Sequence, residues 1–254
     1  MGAGHVHKLY RHGHTPVHAL PAHVKLVALL AFMIVVVATP REAFWAFGVY
    51  ALLLMVVAYR ARVPASFIGR RMVVEIPFVV FALLLPFLAG GERVDVLGLS
   101  LSLEGLLAGW NILAKGTLGV VASILLAATT DARSLLLALQ RLRVPPVLVE
   151  ITSFMVRYAD VITEEMRRMK IARESRGFEG GTRKQLGVVA TSAGALFIRS
   201  YERGERVHLA MLSRGYTGQL PVLEVQDADA AQWARAAWLP FTALVVSVAA
   251  WMTL

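Results

Sequence analysis

The chain has 254 residues, 57% of them hydrophobic, and a mean hydropathy of +0.62, above what a soluble domain carries. Its formal net charge is +9, but the basic residues crowd between long apolar blocks, which argues against nucleic acid as a partner and for lipid as the solvent. With no cysteine, disulfides and thiolate metal sites are excluded.

The first 23 residues are polar and hold His5, His7, His12, His14, His18 and His23. His-x-His spacing can bind Ni²⁺, Co²⁺ or Zn²⁺. No carboxylate joins these histidines and their spacing is irregular, so the stretch reads as a solvated, disordered tail. The first apolar block follows without a clear small-residue cleavage site and reads as a retained span rather than a secretory leader. Residues 24–39, 43–58, 73–90 and 106–130 each approach the about 20 apolar residues that a membrane-crossing helix needs, and 236–254 closes the chain as a fifth span. Pro40 and Gly90-Gly91 mark span ends, and Pro240 lies near the start of the last.

Basic residues give the orientation. Lys8, Arg11 and Lys25 precede the first span; Arg60, Arg62, Arg70 and Arg71 separate the second from the third; Arg133, Arg141 and Arg143 follow the fourth. The alternate loops hold Arg41 and Arg93, so the positive-inside rule predicts a cytoplasmic N-terminus. Glu75, near the start of the third span, reads as an interfacial residue. Lys115, in the fourth span with Asn111, is an ionisable group at membrane depth. Unpaired it costs at least about 2.5 kcal/mol, so it serves a function, pairs quietly with another helix, or lies near the interface because the fourth span starts later.

Residues 131–218 do not read as membrane-spanning. They divide the chain into an N-terminal tail with four spans (1–130), a cytoplasmic set of coupling helices (131–218) and a connector with the last span (219–254). Within the insert, 131–143 is a short amphipathic helix stopped by Pro145-Pro146, and 147–176 and 182–214 are long helices, apolar first and charged later. Residues 186–198 are apolar but too short to cross a bilayer, and basic residues flank both ends. Gly187, Ala190 and Gly194 share one face there, which suits close crossing of another helix.

Ala172-Arg173-Glu174-Ser175-Arg176-Gly177-Phe178 and Ala210-Met211-Leu212-Ser213-Arg214-Gly215-Tyr216 both read Ala-x-x-Ser-Arg-Gly-aromatic, and each closes a long helix. Glycine just past a helix takes the left-handed conformation cheaply and caps free carbonyls. The arginine before it complements the helix dipole. The result is a rigid end presenting one guanidinium to a carboxylate on a partner. A lone copy is a plain helix ending; two in register predict two equivalent docking sites, side by side, for a dimeric partner.

These paired motifs resemble the Ala-Arg-Gly signatures of the T components of energy-coupling factor (ECF) transporters, most of all the cobalt-transport subunit CbiQ, with serine where the family often has alanine. Leu20-Pro21-Ala22-His23-Val24-Lys25-Leu26 is similar to the family's entry into the first span, and the span layout and insert agree. The resemblance covers nearly the whole chain. It implies an all-α integral membrane fold of about five spans in a bacterial inner membrane. Ser175, Arg176, Gly177, Ser213, Arg214 and Gly215 would dock two CbiO-like ATP-binding cassette ATPases. A CbiM-like membrane subunit would capture substrate, with a small CbiN-like accessory protein. No Gly-x-x-x-x-Gly-Lys-Ser/Thr occurs, and no catalytic set converges, so ATP and Mg²⁺ belong on the partners and this chain is expected to be non-catalytic and free of cofactors. Cobalt is the expected substrate, with nickel or a vitamin such as biotin as alternatives. A stand-alone secondary transporter would want inverted repeats, which are not apparent.

Overall fold

The computed structural model describes residues 10–90, 93–96, 99–177, 182–218 and 227–253. Among them are nine α-helices: α1 Ala22–Ala38, α2 Phe44–Arg60, α3 Ala65–Gly69, α4 Ile76–Leu88, α5 Leu103–Thr129, α6 Ala132–Arg141, α7 Pro146–Glu174, α8 Thr182–Leu212 and α9 Ala230–Met252. A 3-10 turn, Met72–Glu75, leads into α4. Ala65–Leu88, Leu103–Thr129 and Ala230–Met252 are long and apolar enough to cross a membrane, and Ala22–Ala38 and Phe44–Arg60 are shorter apolar helices. The helical membrane architecture expected from sequence is present.

One element was not expected. An antiparallel hairpin, β1 Arg93–Val96 with β2 Leu99–Ser102, joins α4 to α5, pairing Val94 with Leu101 and Val96 with Leu99. Its cue is the period-two alternation of Arg-Val-Asp-Val and Leu-Ser-Leu-Ser, eclipsed by the far longer apolar runs on either side.

The chain divides into two compact units: 10–138 with 227–253, and 139–177 with 182–218. In the first, α1 packs on α9 and α5, α2 on α5 and α9, and α4 on α5. Its buried core combines Phe32, Phe47, Tyr50, Leu54, Leu118 and Leu125 with the alanines 46, 122, 128, 243 and 250, whose small side chains let helices approach closely. Phe78, Phe81, Leu84, Phe87, Val245 and Val248 face outward, an arrangement that only a lipid surround stabilises.

Most polar groups inside this unit are paired; among the described residues the buried Asn111 Oδ1 and Thr130 Oγ1 have no hydrogen-bond partner. The Lys25 ammonium donates to the Thr129 carbonyl at 2.7 Å, and Lys115 donates to the Val37 carbonyl at 2.7 Å. Antiparallel α1 and α5 thus each place a cation on the other's C-terminal carbonyls, where the helix dipole favours it. Lys115 is therefore paired with another helix of the bundle. Thr39, Tyr50 and Ser247 form a buried hydrogen-bonded cluster, with Thr39 and Tyr50 hydroxyls 2.8 Å apart. Glu75 is 4% exposed and accepts a hydrogen bond from Thr117, so it lies inside the bundle, not at an interface. The sequence pattern misleads there because the helical segment begins at Ala65 rather than at 73, which carries Glu75 inward.

Two further corrections concern the ends. The last helix starts at Ala230, not at 236, because Asp229 and Gln232 form a reciprocal capping box, and it runs through Pro240. The N-terminal stretch from Tyr10 is not a solvated tail. The Arg11 amide donates to the Ala128 carbonyl at 3.0 Å, Thr15 is buried and 2.7 Å from His18 Nδ1, and His23 packs edge-on against Trp233. His5 and His7 lie outside the described residues. No group of three potential His, Cys, Asp or Glu metal ligands occurs among the described residues.

Candidate functional site

In the second unit α7 spans 29 residues and α8 spans 31. They run antiparallel, as three contacts show: Tyr216 with Glu150, Arg199 with Glu165 at 2.6 Å, and Arg173 with Ser192 at 3.3 Å. Glu164 receives a bidentate pair from Arg167 at 2.7 and 2.8 Å, and hydrogen bonds from Arg167 and Arg168 hold its carboxyl down at about 2. The hydrogen bond to Glu150 pushes the Tyr216 phenol above its ordinary value.

The two Ser-Arg-Gly segments close their helices in the same way. The amides of Ser175, Arg176 and Gly177 donate to the carbonyls of Ile171, Arg173 and Glu174; those of Ser213, Arg214 and Gly215 donate to Leu209, Met211 and Leu212. Both serine hydroxyls bond back onto the helix, to Ile171 and Ala210, at 2.9 Å each. Gly177 has φ +70° and Gly215 φ +81°, the left-handed region that a β-carbon disfavours. At the second end the Tyr216 amide reaches the Met211 carbonyl at 3.0 Å, completing a Schellman closure. Its ring folds back so that the hydroxyl meets Glu150 at the start of α7. Phe178, the matching aromatic, lies outside the described residues.

Arg176 and Arg214 are exposed, and neither forms an ion pair among the described residues. Their placement corrects one expectation. The antiparallel pairing sets Arg176 near the level of Ser192 and Arg214 near that of Glu150, so the two guanidinium groups stand at opposite ends of the pair. At about 1.5 Å per residue from the level of Glu150 to Arg176 they are roughly 40 Å apart along it, not side by side.

Gly187, Ala190 and Gly194 are exposed, and nothing lies within 4 Å of a β-carbon built on either glycine. α7 meets the other side of α8, through Ser192 and Arg199, at about 140–160° around the helix from the small residues. Within this chain, among the described residues, helices cross closely on glycines of α5. A β-carbon on Gly105 would stand 2.7 Å from the Leu85 carbonyl oxygen, and one on Gly109 2.7 Å from that of Ala82. This Gly-x-x-x-Gly seats α5 on α4, a signal present in the sequence that its reading missed.

Comparison with known proteins places this architecture. A family model described as CbiQ, cobalt transport protein, matches residues 13–223. The cobalt transport protein CbiQ of Rhodobacter capsulatus is 28% identical over 168 residues, covering 64% of this chain and 69% of the relative. The energy-coupling factor transporter transmembrane protein EcfT of Bacillus selenitireducens is 29% identical over 223 residues, 82% of each chain. A putative fused cobalt transport protein CbiMQ of Methanocorpusculum labreanum is 25% identical over 239 residues, 91% of this chain but 40% of the fusion. The chain spans half the length of a further relative, an uncharacterized protein of Methanocaldococcus jannaschii, which is 34% identical over 137 residues. With the family model matching most of its length, the chain belongs to the CbiQ cobalt transport protein family, the multi-pass, non-catalytic transmembrane T components of ECF transporters.

Proposed function

We propose that this chain couples two ATPase subunits to a substrate-capturing membrane subunit during cobalt uptake, with Arg176 and Arg214 each docking one ATPase. The observation that carries this reading is the pair of helix ends closed by the same three amide bonds and a left-handed glycine, each with an exposed guanidinium, at opposite ends of the α7–α8 pair. Two copies of one carboxylate-lined groove in a dimeric ATPase are the natural complement to two such ends. ATP and Mg²⁺ reside on those subunits. Ser175, Gly177, Ser213 and Gly215 hold each end in shape, and the open face of Gly187, Ala190 and Gly194 receives a helix of the capture subunit.

Exposed apolar residues support a further partner on the same helices: Val147, Leu148, Ile151 and Met155 on α7, and Val189, Phe197 and Ile198 on α8. The fusion of CbiM to CbiQ in the Methanocorpusculum relative's name makes a CbiM-like protein the first choice, with a CbiN-like accessory subunit. The basic loops favour an N-terminus in the cytoplasm, and a bacterial inner membrane is the proposed location. Cobalt follows from the family description; nickel or a vitamin such as biotin would use the same docking chemistry.

The test is cobalt uptake by the reconstituted complex carrying Arg176→Ala and Arg214→Ala together. Uptake is expected to vanish and ATPase copurification to fall, while membrane insertion persists because both side chains are exposed. Full uptake by the double variant, or cobalt transport by the chain alone without ATPase, would overturn the coupling role.

A further inference from the structure

We infer that the basic end of the membrane unit holds an anionic phospholipid, with an acyl chain between the helices and the phosphate on a cluster of arginines. A partly open cavity of about 260 Å³ lies among α1, α2, α5 and α9, walled by Leu29, Phe32, Leu54, Val57, Leu125 and Leu239. Its volume is below the about 300–1,000 Å³ of a drug-sized site, so it admits a chain segment rather than a whole lipid. At its rim stand Lys25, Arg60 and Arg235.

A second hollow of about 370 Å³, bounded by His14, Thr15, Tyr59, Arg60 and Arg62, adjoins the first, and the two share Pro16 and Arg60. An apolar slot thus lies beside a polar, cationic hollow, with Pro16 and Arg60 common to both. That sequence of surfaces matches an amphiphile with an anionic head.

The cations are available. Lys25 is already committed to the Thr129 carbonyl, but Arg60, Arg62 and Arg235 form no ion pair among the described residues. Arg60 lies over the Trp238 ring at 6.0 Å, and Tyr59 is 85% exposed, the interfacial aromatic setting of a headgroup layer.

Arg62 adds an independent observation. Its φ is +53°, in the left-handed region where a glycine would sit at less cost. The helix closure itself, with the Val63 amide on the Ala58 carbonyl at 3.0 Å, needs only the backbone. The guanidinium at this position is what glycine would not supply, and an anion beside it gives the strain a use. With the N-terminus cytoplasmic, the site faces the leaflet that carries anionic lipid.

The full chain, exchanged into nanodiscs of mixed phosphatidylglycerol and phosphatidylcholine with identical chains, is extracted into mild detergent and its retained lipid weighed by native mass spectrometry. Phosphatidylglycerol is expected to be retained roughly tenfold or more over phosphatidylcholine. Arg60→Gln, Arg62→Gln and Arg235→Gln together should erase that preference, and Leu29→Trp or Val57→Phe, filling the slot, should lower retention of both lipids. Equal retention of the two lipids by the unaltered chain, or an unchanged preference in the triple variant, would overturn the site. Displacement of the lipid by glycerol 3-phosphate as readily as by phosphatidylglycerol would overturn it in favour of a free-anion site.

Discussion

Gly215 is where the proposed docking end depends most plainly on one atom. Nothing lies within 4 Å of a β-carbon there, so space does not forbid a larger residue; the φ of +81° does. Gly215→Ala is expected to cost roughly 1–2 kcal/mol at that turn, loosening the Tyr216–Met211 closure while leaving Arg214 in place. Hydrogen exchange at Tyr216 should quicken about fivefold or more and ATPase copurification fall, with Gly215→Asn, which tolerates the left-handed region, falling less. Unchanged exchange would show that the closure does not need glycine. At this scale the site was legible in sequence, because Ser-Arg-Gly after a helical run states its own backbone geometry. Lys115 was not legible, since its partner, the Val37 carbonyl, lies 78 residues away and belongs to the backbone. Glu75 was obscured similarly: its burial depends on Thr117 across the α4–α5 side of the bundle.

At the scale of elements, apolar length located five helices, and capping chemistry corrected their ends. The capping box at Asp229 lay in the sequence but within the stretch assigned to the connector, which displaced the start of α9. The contrast between glycines is sharper still. Gly109 seats α5 against the backbone of α4, whereas Gly48 on α2 has nothing within 4 Å of a β-carbon. Gly109→Leu is expected to lower thermal stability of the detergent-solubilised chain by about 1–3 kcal/mol through overpacking, with Gly109→Ala doing so less. Gly48→Ala, gaining helix propensity without a clash, is expected to be neutral or stabilising by up to about 1 kcal/mol. Equal effects at the two positions would remove the α4–α5 glycine seat from the account. Spacing marked Gly187, Ala190 and Gly194 as a contact face, while the equally visible Gly105/Gly109 pair was passed over. Only the packing distinguishes a filled one from an open one.

For the whole molecule, the consequence of antiparallel α7 and α8 is distance. Two helices joined by a short connection return alongside each other, so the tips that end them must point opposite ways. Sequence placed two equivalent tips on consecutive helices but did not fix that direction, because register between the helices is set by pairs such as Glu165–Arg199, which only packing reveals. On the function proposed above, one tip at each end would let the chain hold two ATPase subunits at once and sense their approach and separation through the α7–α8 pair. The absence of native cysteine makes this directly measurable. Ser175→Cys and Ser213→Cys, which keep both arginines, can be joined by a short thiol-reactive crosslinker to the ATPase in the assembled complex. The account predicts a one-to-one adduct from each single variant and a single chain carrying two ATPase subunits from the double variant; an adduct with no more than one ATPase in the double variant, or none from either single variant, would contradict it.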